Sequence, residues 1–122
     1  MRGILLIALG GAVGAVGRHL ANVLAVRIVG AGFPWGTLAV NVVGSFLLGW
    51  LLAGEPRATS DLRLLVGTGA LGAFTTWSAF SVETVRLAQQ VGPAAALANV
   101  AAQLALGLLA AALGLAVGRA GA

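Results

Sequence analysis

The sequence predicts an all-α integral membrane protein, and two observations carry that prediction. Of its 122 residues, 60% are hydrophobic and only 8% are charged, against about a quarter charged in soluble domains. The apolar residues are also gathered into four long runs separated by short polar or Gly/Pro-marked connections. A soluble fold of this composition would expose large apolar patches. Each membrane helix needs roughly 20 residues, so four spans with short connections use the whole chain. A single domain of four transmembrane helices over residues 1–122 follows, with spans at about 3–29, 33–53, 64–86 and 94–118.

The first run follows Met1-Arg2 and continues through Gly10, Gly11 and Gly14 to Arg18 and beyond. It lacks a signal-peptide cleavage site and is read as a retained span. The second carries no charge. A polar loop, "GEPRATSDLR" (Gly54 to Arg63), follows, with Pro56 as its breaker. The third run closes with Glu83 and Arg86, and Gly92-Pro93 marks the turn into the uncharged fourth. Both termini then lie on the same side. Arg2, Arg57, Arg63 and Arg119 fall there, while Arg27 and Arg86 fall on the other side and Arg18 sits near that boundary. The surplus is a weak orientational bias. It fits a mild preference for cytoplasmic termini, and equally a chain that inserts both ways and pairs antiparallel.

Composition also excludes functions. There is no cysteine, so disulfides, thiolate metal sites and cysteine nucleophiles are absent. The basic residues are seven arginines scattered singly, which argues against a nucleic-acid face and for loops beside anionic lipid headgroups. One histidine, His19, and three acids, Glu55, Asp61 and Glu83, supply no acid pair, metal cluster or nucleophile–base set, so no enzyme chemistry is expected.

Polar residues inside the runs are the informative ones. Gly10 and Gly14 are four apart, as are Gly114 and Gly118, a spacing that lets helix backbones approach closely in lipid. Thr37, Asn41 and Ser45 form one stripe on a helix, which either joins helices by hydrogen bonds or lines a wet path. Asn99 and Gln103 make a shorter stripe that ends at Gly107. In the third run Thr68, Thr75, Thr76, Ser78 and Ser81 follow no single face, and Gly67, Gly69 and Gly72 precede the densest part. Glycine lowers helix propensity, and hydroxyls can satisfy backbone groups freed by a break near mid-membrane. A broken helix exposes carbonyls able to hold a cation. Trp77 and Phe80 follow at i, i+3, either as packed aromatics or with positive ring edges toward an anion.

Three strings, "GGAVGAVGR" (Gly10 to Arg18), "FPWGTLAVNVVGSFLLG" (Phe33 to Gly49) and "GTGALGAFTTWSAFSVE" (Gly67 to Glu83), resemble the small bacterial fluoride channels, the Fluc or CrcB family. The resemblance runs the length of the chain. It implies an antiparallel dual-topology homodimer of four-helix subunits in the bacterial inner membrane, with two fluoride pores and a sodium ion at the dimer centre. By motif match, the sodium would be held by the backbone carbonyls of Gly72 and Thr75 in a broken third helix. The fluoride pathway would include Asn41, Thr37, Trp77, Phe80 and Ser78, with Arg18 and Glu83 near the pore ends. Trp77 stands where the family generally has phenylalanine, and Ala79 where threonine is usual. The fourth span has no serine or threonine, so no family residue is assigned there. These departures leave room for pairing with a paralogous second chain.

Two other readings share the helical outline. A small multidrug exporter needs a carboxylate within a span, and the one acid inside any of the four spans, Glu83, sits at the end of the third. A membrane assembly factor would use the polar stripes only to join helices and would carry no ion.

Overall fold

The protein is described by a computed structural model that covers residues 1–53 and 59–121. Glu55, Pro56 and Arg57 of the polar loop lie outside the described residues. Within them the chain is helical and no strand occurs. The elements are α1 (Arg2–Val29), α2 (Trp35–Ala53), α3 (Ser60–Leu62), a π-helical segment (Arg63–Leu71), α4 (Gly72–Phe74), α5 (Trp77–Gln90) and α6 (Pro93–Ala120). Among the described residues α1, α2 and α6 are long and apolar enough to cross a membrane. At 1.5 Å per residue, each of the two 28-residue helices reaches about 42 Å, more than a hydrocarbon core of about 30 Å.

Turn chemistry delimits these helices. Arg27 lies in the last turn of α1, and Gly30 follows at φ 84°, its N–H on the Val26 carbonyl at 3.0 Å. Gly92 has φ 135°, which a side chain would resist, and Pro93 then opens α6 where a missing N–H costs nothing.

Between α2 and α6 the chain takes a less regular course. Thr59 caps α3, its hydroxyl accepting from the Leu62 N–H at 3.2 Å. The helix then widens into the π-helical segment, where the Gly72 N–H reaches back to the Gly67 carbonyl. Such widening is rare and needs support. It comes from α1: a β-carbon at Gly10 would collide with the Leu65 carbonyl, and one at Gly14 with that of Ala70. Gly69 in turn leaves room for the Ile7 carbonyl. Glycines on both sides thus press backbone against backbone.

Contacts fix the helix directions. Arg2 pairs with Asp61, Gly10 meets Leu65 and Ala70, and Gly17 meets Phe74, so α1 runs parallel to the 60–90 stretch. Gly49 meets Ala111, Gly114 meets Phe46, and Gly118 meets Ala53, so α2 runs parallel to α6. Asn22 against Gly36 sets α1 antiparallel to α2. The fold is therefore two parallel pairs laid in opposite directions, each zipped through small residues as packing in lipid favours. Much of the outer surface is apolar, including Leu9, Val13, Val16, Leu97 and Leu108. A helix apolar all round suits lipid rather than water.

Candidate functional site

At Phe74 the helix stops. Thr75 (φ −79°, ψ 157°) and Thr76 (φ −154°, ψ 118°) are extended, and α5 starts afresh at Trp77. A break inside apolar surroundings must dispose of its backbone groups, and those of Thr75 and Thr76 are bonded. The Thr75 N–H donates to the Leu71 carbonyl at 3.1 Å, and so does the Thr75 hydroxyl at 3.1 Å. Thr76 acts as N-cap of α5, its hydroxyl accepting from the Ala79 N–H at 3.2 Å and lying 3.3 Å from that of Ser78. Its amide and carbonyl are both taken by one side chain from α2. The Thr76 N–H donates to Asn41 Oδ1 at 2.8 Å, and Asn41 Nδ2 donates back to the Thr76 carbonyl at 3.1 Å.

The same Asn41 nitrogen donates to Gln103 Oε1 on α6 at 3.0 Å. Both N–H donors of Asn41 are therefore in use. One turn earlier on α2, the buried Thr37 hydroxyl donates to Glu83 Oε1 at 2.9 Å. On the far side of α5, Asn99 Nδ2 donates to Thr84 Oγ1 at 2.9 Å, and that hydroxyl donates to the Phe80 carbonyl at 2.7 Å. Of the two readings of the α2 stripe, joining helices describes Thr37 and Asn41. Ser45, with Asn41, lines open space.

That space is a groove of about 320 Å³ beside the break, bordered by Asn41, Ser45, Thr75, Trp77, Phe80 and Gln103. A second cavity of about 430 Å³ lies by the α1–α2 turn, bordered by Asn22, Phe33, Glu83, Arg86 and Gln90. Asn41 faces the first and Glu83 the second, and the bond from Thr37 to Glu83 stands one helical turn from Asn41.

Trp77 and Phe80 are brought together, with ring centroids 4.9 Å apart and planes at 59°. Phe80 is 6% exposed, but Trp77 is 72% exposed and projects outward. Ser78 is exposed next to it. Arg18 reaches the break itself, its guanidinium 3.4 Å from the Thr75 carbonyl, while its own carbonyl accepts from Asn22 Nδ2 at 3.1 Å. Gly72 is exposed, and the Thr76 N–H that an unbroken helix would direct to its carbonyl goes to Asn41 instead. The break thus leaves backbone oxygens, hard ligands of the type that suits an alkali cation. Among the described residues no cluster of His, Cys, Asp or Glu could hold a metal.

Two residues gain a role that sequence reasoning did not assign. Thr76 was visible only as one hydroxyl among several, although threonine three residues before a capped N–H is an ordinary helix-start signal. Gln103 was visible as part of a short stripe, but its partner lies 62 positions away.

Residues 5–115 match the family described as CrcB-like protein, Camphor Resistance (CrcB). The chain is 44% identical over 122 residues to a protein of Agrobacterium fabrum named fluoride-specific ion channel FluC, with 98% of each chain covered. It is 48% identical over 115 residues to a protein of the same name from a Chelativorans species, covering 92% of each. A third of that name, from Sorangium cellulosum, is 48% identical over 118 residues, covering 93% of this chain and 91% of the relative.

Proposed function

Because the chain belongs to the CrcB family, we propose that it is a fluoride-selective ion channel that lets fluoride leave the bacterial cell passively and so relieves fluoride toxicity. The observation that carries this reading is the near-full-length likeness to proteins named fluoride-specific ion channels. Those relatives are named as ion channels rather than enzymes, and the chain is read in the same way. The protein would sit in the inner membrane as a multi-pass protein, with the stretch from Ser60 to Gln90 making a fourth, broken crossing beside α1, α2 and α6.

Fluoride is small and holds its water tightly, so a path must replace that hydration with hydrogen-bond donors and positive ring edges. The groove beside the break, with Phe80, Trp77 and Asn41 at its border, is the core of the proposed pathway, which Ser78, its hydroxyl 3.3 Å from that of Thr76, and Thr37, one turn earlier on α2, would extend. Arg18 and Glu83 would supply charge toward its ends.

The working unit would be an antiparallel dual-topology homodimer with two pores, or a pair formed with a paralogous chain of opposite orientation. The weak arginine asymmetry and the outward-projecting Trp77 support pairing, since an indole 72% exposed beside a groove is available to a second subunit. A sodium ion at the dimer centre would be held by the Gly72 and Thr75 carbonyls. Their fit is supported by the freed Gly72 oxygen and by the second lone pair that the Thr75 oxygen keeps beside Arg18. One subunit offers two such oxygens, and a two-fold partner would bring them to four. The ion would supply positive charge that lowers the cost of an anion in a low-dielectric assembly.

The test is fluoride efflux from liposomes containing only this purified chain, followed with a fluoride electrode and with chloride as control. Rapid, fluoride-selective efflux is expected. Silence from folded, reconstituted protein would overturn the reading of a self-sufficient channel.

A further inference from the structure

We infer that Gln103 on α6 supplies the side-chain hydrogen-bond donor that a passing fluoride meets beside the break, and that Asn41 acts as a positioning residue that orients it. This deepens the fluoride-channel reading above and rests on it.

The Thr76 N–H can only donate, so the Asn41 atom 2.8 Å from it is the acceptor Oδ1. The other Asn41 atom is then the nitrogen, and both of its N–H bonds are spent, on the Thr76 carbonyl and on Gln103. The Gln103 atom that receives the second must be its oxygen. Hydrogen-bond polarity thus passes from the main chain through Asn41 to Gln103, and it leaves the Gln103 NH₂ as the free end.

That free end is unusual. Gln103 is 9% exposed, and its Nε2 is buried with no partner among the described residues. A buried, unspent donor is costly, and such groups are rare enough that each calls for an explanation. Gln103 also borders the groove, and so does Gly107 one turn further along α6. A β-carbon at Gly107 would find nothing within 4 Å, so there is open room beside the amide. Asn41 itself has no N–H left to offer an anion. A desolvated fluoride passing this level requires a donor, and Gln103 is the amide with donors to give.

The experiment uses the full chain. Fluoride efflux from liposomes is compared for the unmodified protein, Gln103→Glu and Gln103→Met. The glutamate keeps an oxygen for Asn41 but replaces the donors with a carboxylate, whereas the methionine removes the donors without adding charge, so the methionine variant is the one that isolates the donors. Efflux should fall at least about tenfold in both variants, the loss expected for a hydrogen bond to a charged partner. In parallel, the ¹⁵N side-chain amide resonance of Gln103 in the unmodified protein, in detergent, is followed during titration with sodium fluoride and then sodium chloride. It should move with fluoride and not with chloride, a readout independent of whether either variant folds. Unmodified efflux with Gln103→Met within about twofold of it, or with a Gln103 resonance blind to fluoride, overturns the inference and leaves the channel reading standing. An unmodified chain that carries no fluoride overturns the reading beneath it, and the inference with it.

Discussion

Replacing Asn41 with aspartate exchanges one NH₂ for an oxygen, yet in this structure it changes three things at once. The new oxygen would lie where the nitrogen now sits, 3.1 Å from the Thr76 carbonyl and 3.0 Å from Gln103 Oε1. Two hydrogen bonds worth about 1 kcal/mol each become contacts between acceptors, although rotation of the Gln103 amide would recover one. The N–H of Thr76 keeps its acceptor, so the break retains its attachment to α2. The larger effect is electrostatic. A carboxylate about 4 Å from a passing anion, at an effective dielectric near 20, raises its energy by about 4 kcal/mol. That is close to a thousandfold in rate. Fluoride efflux from Asn41→Asp liposomes should therefore fall to background, while size-exclusion chromatography in detergent shows the same assembly as the unmodified protein. Efflux undiminished in folded Asn41→Asp protein would refute the assignment of this groove to the fluoride path.

Three further outcomes follow from contacts already described. Gly10→Ala should destabilise the protein by about 1–3 kcal/mol, because the added methyl meets the Leu65 carbonyl and Ala70 backbone atoms that cannot retreat. Gly11→Ala, whose nearest neighbour is the Gly69 carbonyl oxygen at 4.0 Å, should stay within about 0.5 kcal/mol or gain slightly; thermal unfolding in detergent separates the two. Thr76→Val should cost about 1 kcal/mol by removing the cap on the Ala79 N–H, and Thr76→Ser should restore it. Faster amide hydrogen exchange at Ala79 in the valine variant alone is the expected signature. Exchanging sodium for a large organic cation should lower the unfolding temperature, since an ion held at 100 times its Kd contributes about 2.7 kcal/mol; superimposable melting curves in the two salts would count against a bound sodium.

Much of the helical outline was legible because hydrophobic runs and their punctuation are local. Arg27 before Gly30, and Gly92 before Pro93, mark ends that any isolated peptide would share. The glycine spacings at 10/14 and 114/118 were legible as close-packing signals, and both pairs do pack, each against backbone of a different helix. The π-helical widening at Arg63–Leu71 was not legible. It depends on α1 carrying glycines at the level where the wide turns need room, a relation between segments more than 50 residues apart. The polar residues behaved similarly. A sequence shows that Asn41 and Gln103 sit in apolar runs, but not that they are bonded to each other, nor that Asn41 exhausts its donors on the Thr76 backbone. Thr37 and Glu83 were both singled out, yet their bond joins residues 46 apart and no spacing rule announces it.

The partnership between Asn41 and the Thr76 backbone has a consequence for inheritance. Side chains are exchanged by point mutation, whereas an amide N–H belongs to every residue except proline. Substitution at position 41 or 103 can erase the arrangement, but only proline at position 76 could silence the N–H that orients it. Lineages drifting at these positions can lose the amide relay while its starting point persists unchanged in the main chain. A later mutation that restores a carboxamide at position 41 would find its alignment already written.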